Sequence, residues 1–294
     1  MTALSQIEIE PTKTHRDENF PVASVLIHPR HRDIILAFYR FVRTADDVAD
    51  HPSLPEAEKL AALEALEQGL LGHGDPSPQA RTLRECLAQR HLPPDHARDL
   101  LTAFRMDVTK RRYQDWEDLL GYCRYSAMPV GRFVLDVHGE DRKTWPASDA
   151  LCAALQVINH MQDCAADYRS LDRVYLPLDI LGHHGAAVAA LGEAQASPAM
   201  RESLRELVQR TQTLLSQAEP FPSMVRDIRL GLEVAVIDAL ARRLTALLAW
   251  RDPLSERVHL TAVGMAGVSV MATFLEAARR LPRWAAGSIG AGRP

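Results

Sequence analysis

Asp46 and Asp50 stand four residues apart in FVRTADDVADHP (41–52), with Asp47 beside the first. On an α-helix each residue turns by about 100°, so positions i and i+4 share a face about 6 Å apart. The two carboxylates therefore point the same way. A second stretch, QVINHMQDCAADY (156–168), repeats the geometry. Asn159, Asp163 and Asp167 fall at i, i+4 and i+8, and Gln156 joins the stripe three residues before Asn159. The neighbouring Leu155, Val157, Ile158, Ala165 and Ala166 are too apolar for a helix solvated all round.

Like carboxylates held close together in a low-dielectric site raise one another's pKa unless a cation offsets the repulsion. Oxygen donors with no His or Cys in the stripe suit Mg²⁺ better than zinc. Mg²⁺ seldom takes an all-protein cage and usually joins carboxylates to phosphate oxygens of a substrate. Two aspartate helices facing each other thus point to a diphosphate held through metal ions. The competing reading is two sets of surface acids matched with some of the many arginines. Two such sets, both on apolar helices, favour the metal site.

The elements that position these residues are helices. The 294 residues are 47% hydrophobic and 6% aromatic, enough for a sizeable core. A net charge of −4 gives no field suited to nucleic acid. Helical spacing places Ile34, Ile35, Phe38, Phe41, Val42, Ala45 and Ala49 on one face of a helix over 30–50. Further helices are predicted near 55–71, 79–91, 94–109, 115–138, 148–168, 198–218, 223–250 and 254–281, with Gly- and Pro-marked breaks at 72–78, 139–149 and 218–223. Strand signals are weak. One all-α domain over 18–281 is expected, between a flexible N-terminus (1–17) and a flexible tail (282–294).

Cys86, Cys123, Cys152 and Cys164 form no CxxC pair and read as buried thiols of a reducing compartment. The first twenty residues carry charges and no apolar segment, so a signal peptide is not expected and a cytoplasmic location is. Residues 258–275, VHLTAVGMAGVSVMATFL, hold no Asp, Glu, Lys or Arg. They are barely long enough for a bilayer and diluted by His259, Thr261, Ser269 and Thr273, so a buried central helix is expected there.

FYRFVRTADDVAD and LQVINHMQDCAADYRSLDRVYLP resemble the two aspartate-rich motifs of the squalene/phytoene synthase family. ENFPVAS (18–24) and YCRYSAMPVGRFVL (122–135) resemble the subgroup found with hopanoid biosynthesis, and the likeness runs from 18 through at least Pro177. The resemblance implies an isoprenoid synthase-type helical bundle with a central cavity. It implies that Asp46, Asp50, Asn159, Asp163 and Asp167 hold two or three Mg²⁺ ions against the diphosphate, with Gln156 one turn earlier. Tyr39 and Arg43 would contact the diphosphate or order the site, Tyr122 would stand at the cavity mouth, and Arg173, near Tyr175 in RVYLP, would reach the diphosphate. Phe20, Ala127, Val130 and Gly131 would line the hydrocarbon tunnel, although a tunnel wall and an ordinary core look alike in sequence.

The chain departs from its relatives in three places. Gln162 stands where relatives that join two prenyl diphosphates commonly carry arginine in NILRD. His160 and Met161 replace aromatics, and the interval from Asp167 to Arg173 is one residue longer. With one fewer fixed cation beside Asp163, presqualene diphosphate is expected as substrate in preference to farnesyl diphosphate.

The implied reaction is ionisation of presqualene diphosphate, rearrangement of the cation in an apolar cavity, and capture by one water to give hydroxysqualene and diphosphate. No Gly-rich dinucleotide fingerprint is present, so no NAD(P)H site is evident. Rival readings are a presqualene diphosphate or squalene synthase joining two farnesyl diphosphates, a phytoene synthase, a non-catalytic bundle scaffold, and a metal-dependent phosphohydrolase. So apolar a product also raises a peripheral membrane contact and pathway enzymes as partners.

Overall fold

The computed structural model describes residues 28–74 and 76–289, and these residues are helical apart from their connections and one isolated parallel β-bridge between Arg112 and Val174. The helices are α1 (Pro29–Ala49), α2 (Glu56–Leu71), α3 (Pro78–Gln89), α4 (Asp95–Thr109), α5 (Trp116–Ser126), α6 (Met128–His138), α7 (Trp145–Leu171), α8 (Leu178–His183), α9 (Pro198–Ala218), α10 (Phe221–Met224), α11 (Ile228–Leu248) and α12 (Ala262–Ile289).

Local chemistry sets the boundaries. Ser77, Asp115, Ser197 and Asp227 cap α3, α5, α9 and α11, each side chain accepting a backbone N–H of the first turn. Gly72 and Gly139 end α2 and α6 in the left-handed region, at φ of 91° and 69°. The helix expected over 115–138 is two helices broken at Ala127, because Pro129 begins a new first turn. Asp172 ends α7 at φ 51°, a conformation Asp tolerates better than most residues.

Two cores form. The larger is built on α7 and includes Val157, Ile158 and Met161 with Leu204, Leu207 and Leu215 from α9. The smaller gathers Ile34, Phe38, Phe41 and Ala45 of α1 against α2, α3 and α4. Phe133 of α6 stacks on Phe38 with ring centroids 3.8 Å apart, so α6 joins the two. The two aspartate helices thus belong to different cores, and their polar stripes turn toward the junction between them.

The sequence from 258 to 275 corrects an expectation. It begins as an irregular connection, enters α12 only at Ala262, and lies on the outside of the bundle. Val268, Ala272 and Glu276 face α11, while Val263, Val270, Met271, Phe274 and Leu275 are exposed. A run of apolar residues reports affinity for a non-aqueous neighbour without saying which neighbour. α12 is also the one helix among the described residues long and apolar enough to cross a membrane. It continues to Ile289, into the stretch from 282 expected as a flexible tail, whereas residues 1–17 and Phe20 lie outside the described residues.

Candidate active site

Tyr39, Arg43, Asp46 and Asp50 follow one stripe of α1 and are half-buried, between buried Phe38, Phe41 and Ala45. Arg43 donates to Asp46 Oδ2 at 2.7 Å and to Asp47 Oδ1 at 2.7 Å. The guanidinium fork therefore spans two acids of its own helix. Asp46 keeps 32% of its side-chain surface open, yet it lies deep enough that burial, with the charge of Asp50, pushes its pKa up to about 7 against the pull of Arg43.

On α7 the stripe Gln156, Asn159, Asp163 and Asp167 is half-buried to exposed, while Val157, Ile158, Met161, Cys164 and Ala165 are buried. Burial and the charge of Asp163 raise Asp167 to about 7; Arg173 opposes and Asp50 of α1 adds to the rise. That last repulsion runs between the two helices, so the carboxylates of the two motifs share one electrostatic environment.

Arg173 ties the walls together. After α7 ends, the left-handed turn at Asp172 carries Arg173 back toward α1, where it donates to Asp50 Oδ1 at 2.6 Å. Burial works against its charge, but Tyr175, Asp50 and Asp107 outweigh that and hold its pKa above the ordinary value. Lys59 of α2 donates to the last carbonyl of α1, at Ala49, 2.9 Å away.

Beneath the acids lies a polar centre that sequence reasoning missed. Tyr122 of α5 donates to Asp107 Oδ2 at 2.9 Å, and Tyr175 donates to Asp107 Oδ1 at 2.7 Å. Burial raises Asp107 to about 6, moderated by Arg173 and by the two hydroxyls. Tyr122 is thus buried and its hydroxyl turned inward, in place of the expected open cavity mouth. The signal was present: Asp107 continues the apolar face made by Leu100, Ala103 and Phe104, where an acid needs a buried partner. His160 stacks on Tyr175 at 3.7 Å, and burial followed by the charge of Arg173 lowers it to about 3. The neutral ring meets Gln156 Nε2 at 3.2 Å.

Other expected positions fall differently. Ala127 is buried at the α5–α6 break. A Cβ on Gly131 would come within 2.5 Å of Ser148 Oγ and 2.6 Å of Cys152 Sγ, so Gly131 lets α6 pack on α7 and leaves no open tunnel face there. Val130, one residue away and so about 100° around the helix, is 41% exposed. Gln162 is buried and donates to the carbonyl of Val258, away from the acid stripe. An arginine at position 162 would therefore not point at Asp163, so Gln162 does not favour presqualene over farnesyl diphosphate as expected. All four cysteines are free thiols, Cys123 and Cys164 buried, Cys86 and Cys152 half-buried.

The donor set fits Mg²⁺. It is all oxygen, and burial together with neighbouring carboxylates pushes two of its acids up to about 7 despite Arg43 and Arg173, a repulsion that a bound cation would relieve. No three acids, histidines or cysteines converge into a closed cage among the described residues. Carboxylates spread over two walls suit ions that complete their shells with substrate oxygens.

Comparison with known proteins identifies the family. The chain is 58% identical to the hydroxysqualene synthase of Rhodopseudomonas palustris over 280 residues, covering 95% of each. It is 49% identical to that of Zymomonas mobilis, over 92% of this chain and 90% of the relative. The crystal structure of squalene synthase HpnC from Alicyclobacillus acidocaldarius superposes with a TM-score of 0.68 at 33% identity, over 76% of this chain and 85% of that one. The squalene/phytoene synthase family model matches residues 13–263, and with two acid walls on two helices of an all-α bundle, the chain belongs to that family.

Proposed function

We propose that this chain is a hydroxysqualene synthase, converting presqualene diphosphate and water to hydroxysqualene and diphosphate. The observation that carries the reading is the 58% identity to a hydroxysqualene synthase over 95% of both chains. The paired acid walls supply the chemistry that such a reaction needs.

Asp46 and Asp50 on one side, and Asn159, Asp163 and Asp167 on the other, would hold Mg²⁺ together with the substrate diphosphate. Mg²⁺ there supplies Lewis-acid stabilisation of the negative charge that builds on the leaving group. Arg43 already holds two acids through its fork and is placed to trade one of them for a phosphate oxygen. Arg173 fixes Asp50 and adds a buried positive charge beside the leaving group. The buried rings of Tyr113, Tyr122 and Tyr175 would shield a cation from bulk water, while the hydroxyls of Tyr122 and Tyr175 are committed to Asp107.

The deciding experiment is chromatography of the products from presqualene diphosphate and, separately, from farnesyl diphosphate. Hydroxysqualene from the first is expected. Efficient formation of presqualene diphosphate or squalene from farnesyl diphosphate by this chain alone would replace the reading with the joining reaction.

The reading places the enzyme in the cytoplasm, in keeping with its free thiols, and in peripheral contact with a membrane that receives the product. Exposed Val270, Met271 and Phe274 on α12 support that contact. Phe274→Asp should leave turnover of detergent-dispersed substrate unchanged and lower co-sedimentation with phospholipid vesicles. Equal co-sedimentation would remove α12 from the account.

A further inference from the structure

Asp107 is buried, and each of its carboxylate oxygens accepts a tyrosine hydroxyl: Oδ2 from Tyr122 at 2.9 Å and Oδ1 from Tyr175 at 2.7 Å. The three groups come from α4, from α5 and from the segment after α7, so the tertiary fold alone assembles them. The rings of Tyr122 and Tyr175 lie 5.4 Å apart, and Tyr113 lies 5.4 Å from the first and 5.5 Å from the second. Tyr113 has a buried hydroxyl with no hydrogen-bond partner. A buried hydroxyl in that state is one that a water molecule hydrogen-bonded to the neighbouring phenols would satisfy. The centre is also close to the acids: Asp107 acts electrostatically on both Asp46 and Asp167.

A phenol has one proton to donate and lone pairs to accept with. A tyrosine whose proton is committed to a carboxylate can only accept from any other neighbour. Asp107 commits two such protons at once, leaving two phenolic oxygens as obligate acceptors beside the unpartnered Tyr113 hydroxyl.

We propose that Asp107 is a positioning residue for the water-capture step, holding Tyr122 and Tyr175 as acceptors so that a water bound among the tyrosines turns its lone pair toward the substrate cation. The water oxygen gives that lone pair to the cationic carbon and forms the new C–O bond. One proton of the resulting oxonium leaves to the released diphosphate, whose oxygens are the strongest base the reaction itself supplies. Without an oriented water, the same diphosphate takes a proton from the carbon next to the cation, and a hydrocarbon with one more double bond results. Asp107 therefore sets the ratio of alcohol to hydrocarbon, separately from ionisation.

The inference rests on the hydroxysqualene synthase reading, and the test keeps the two apart. The full chain and its Asp107→Asn variant are given presqualene diphosphate with Mg²⁺, and alcohol, hydrocarbon and diphosphate are measured. Alcohol from the unaltered chain supports the functional reading; its absence sinks both. In Asp107→Asn the amide donates to one phenolic oxygen and forces that hydroxyl to turn its proton outward. The alcohol-to-hydrocarbon ratio should fall about tenfold, the worth of one misdirected hydrogen bond to a charged group, with diphosphate release changed far less. An unchanged ratio, or loss of alcohol and diphosphate release in equal proportion, overturns the proposal. Should Asp107→Asn fail to fold, Tyr122→Phe and Tyr175→Phe each delete one acceptor. Each should lower the ratio, and an unchanged ratio in both overturns the proposal as firmly.

Discussion

The wall on α1 and the wall on α7 carry similar acids in different settings. On α1 the acids have guanidinium partners: Arg43 bridges Asp46 and Asp47, and Arg173 reaches Asp50 from across the site. On α7 the strongest influences on Asp167 after burial are another acid, Asp163, and the opposing charge of Arg173. Arginines of the chain hold the acids of the first wall, while at the second burial and Asp163 outweigh the opposing charge of Arg173 on Asp167. Under the proposed function, a diphosphate with its metal ions would meet arginines already in place at the first wall.

The largest expected effect lies on the α7 wall. Asp163→Asn preserves shape and removes charge, and turnover should fall about 10²–10³-fold, the scale of losing one electrostatic partner of a developing charge. Diphosphate release followed as a function of Mg²⁺ checks it. Near-full release at limiting Mg²⁺ would mean that the α7 wall holds no ion.

Arg173→Ala comes next, because it cuts the tie between the walls. A loss of about tenfold to a hundredfold in turnover is expected, in line with removal of a buried charge-assisted hydrogen bond near the leaving group. The cost in stability should be smaller, since Asp50 keeps 40% of its side chain open and can turn to water. A fall in thermal midpoint with unchanged turnover would make Arg173 a purely structural link.

The pH dependence tests the shared field. Asp46 and Asp167 are raised from 3.8 to about 7, so without metal the folded state binds more protons than the unfolded chain between those values. Stability then is highest below pH 3.8 as far as these two groups are concerned, and it declines as pH rises toward 7. Mg²⁺ with diphosphate should reverse the trend by favouring the ionised acids, raising the thermal midpoint more at pH 8 than at pH 5. Equal stabilisation at both would show that the acids are not its ligands. Calorimetric scans with and without the ions decide this.

The smallest effect is expected behind the α7 wall. Gly131→Ala puts a methyl group within 2.5 Å of Ser148 Oγ and should cost about 1–3 kcal/mol in stability, with turnover per folded molecule unchanged. Loss of turnover without loss of stability would restore position 131 to the substrate tunnel.

How much of this was legible depends on the range of each interaction. The i, i+4 acids Asp46 and Asp50, and the stripe of Asn159, Asp163 and Asp167, were readable because helical geometry is local and the flanking apolar residues locate the buried face. The partners of those acids were not. Arg173 meets Asp50 across 123 positions of chain, and Asp107 meets Tyr175 across 68. Gln162 was readable as a departure from relatives, but its direction toward Val258 was not, because one residue's offset on a helix turns a side chain by about 100°.

The sequence by itself determined an all-α chain, most helix boundaries, and two acid stripes of the kind found in one enzyme family. Those features follow from periodicity, capping and turn residues, which act within a few positions. Tertiary structure alone decided that the two stripes share one field, that Gly131 is a packing contact, that α12 lies outside, and that Asp107 gathers two tyrosines. Each of these depends on which surfaces the two cores leave facing each other, and that choice is made by packing of the whole chain rather than by any local stretch of it.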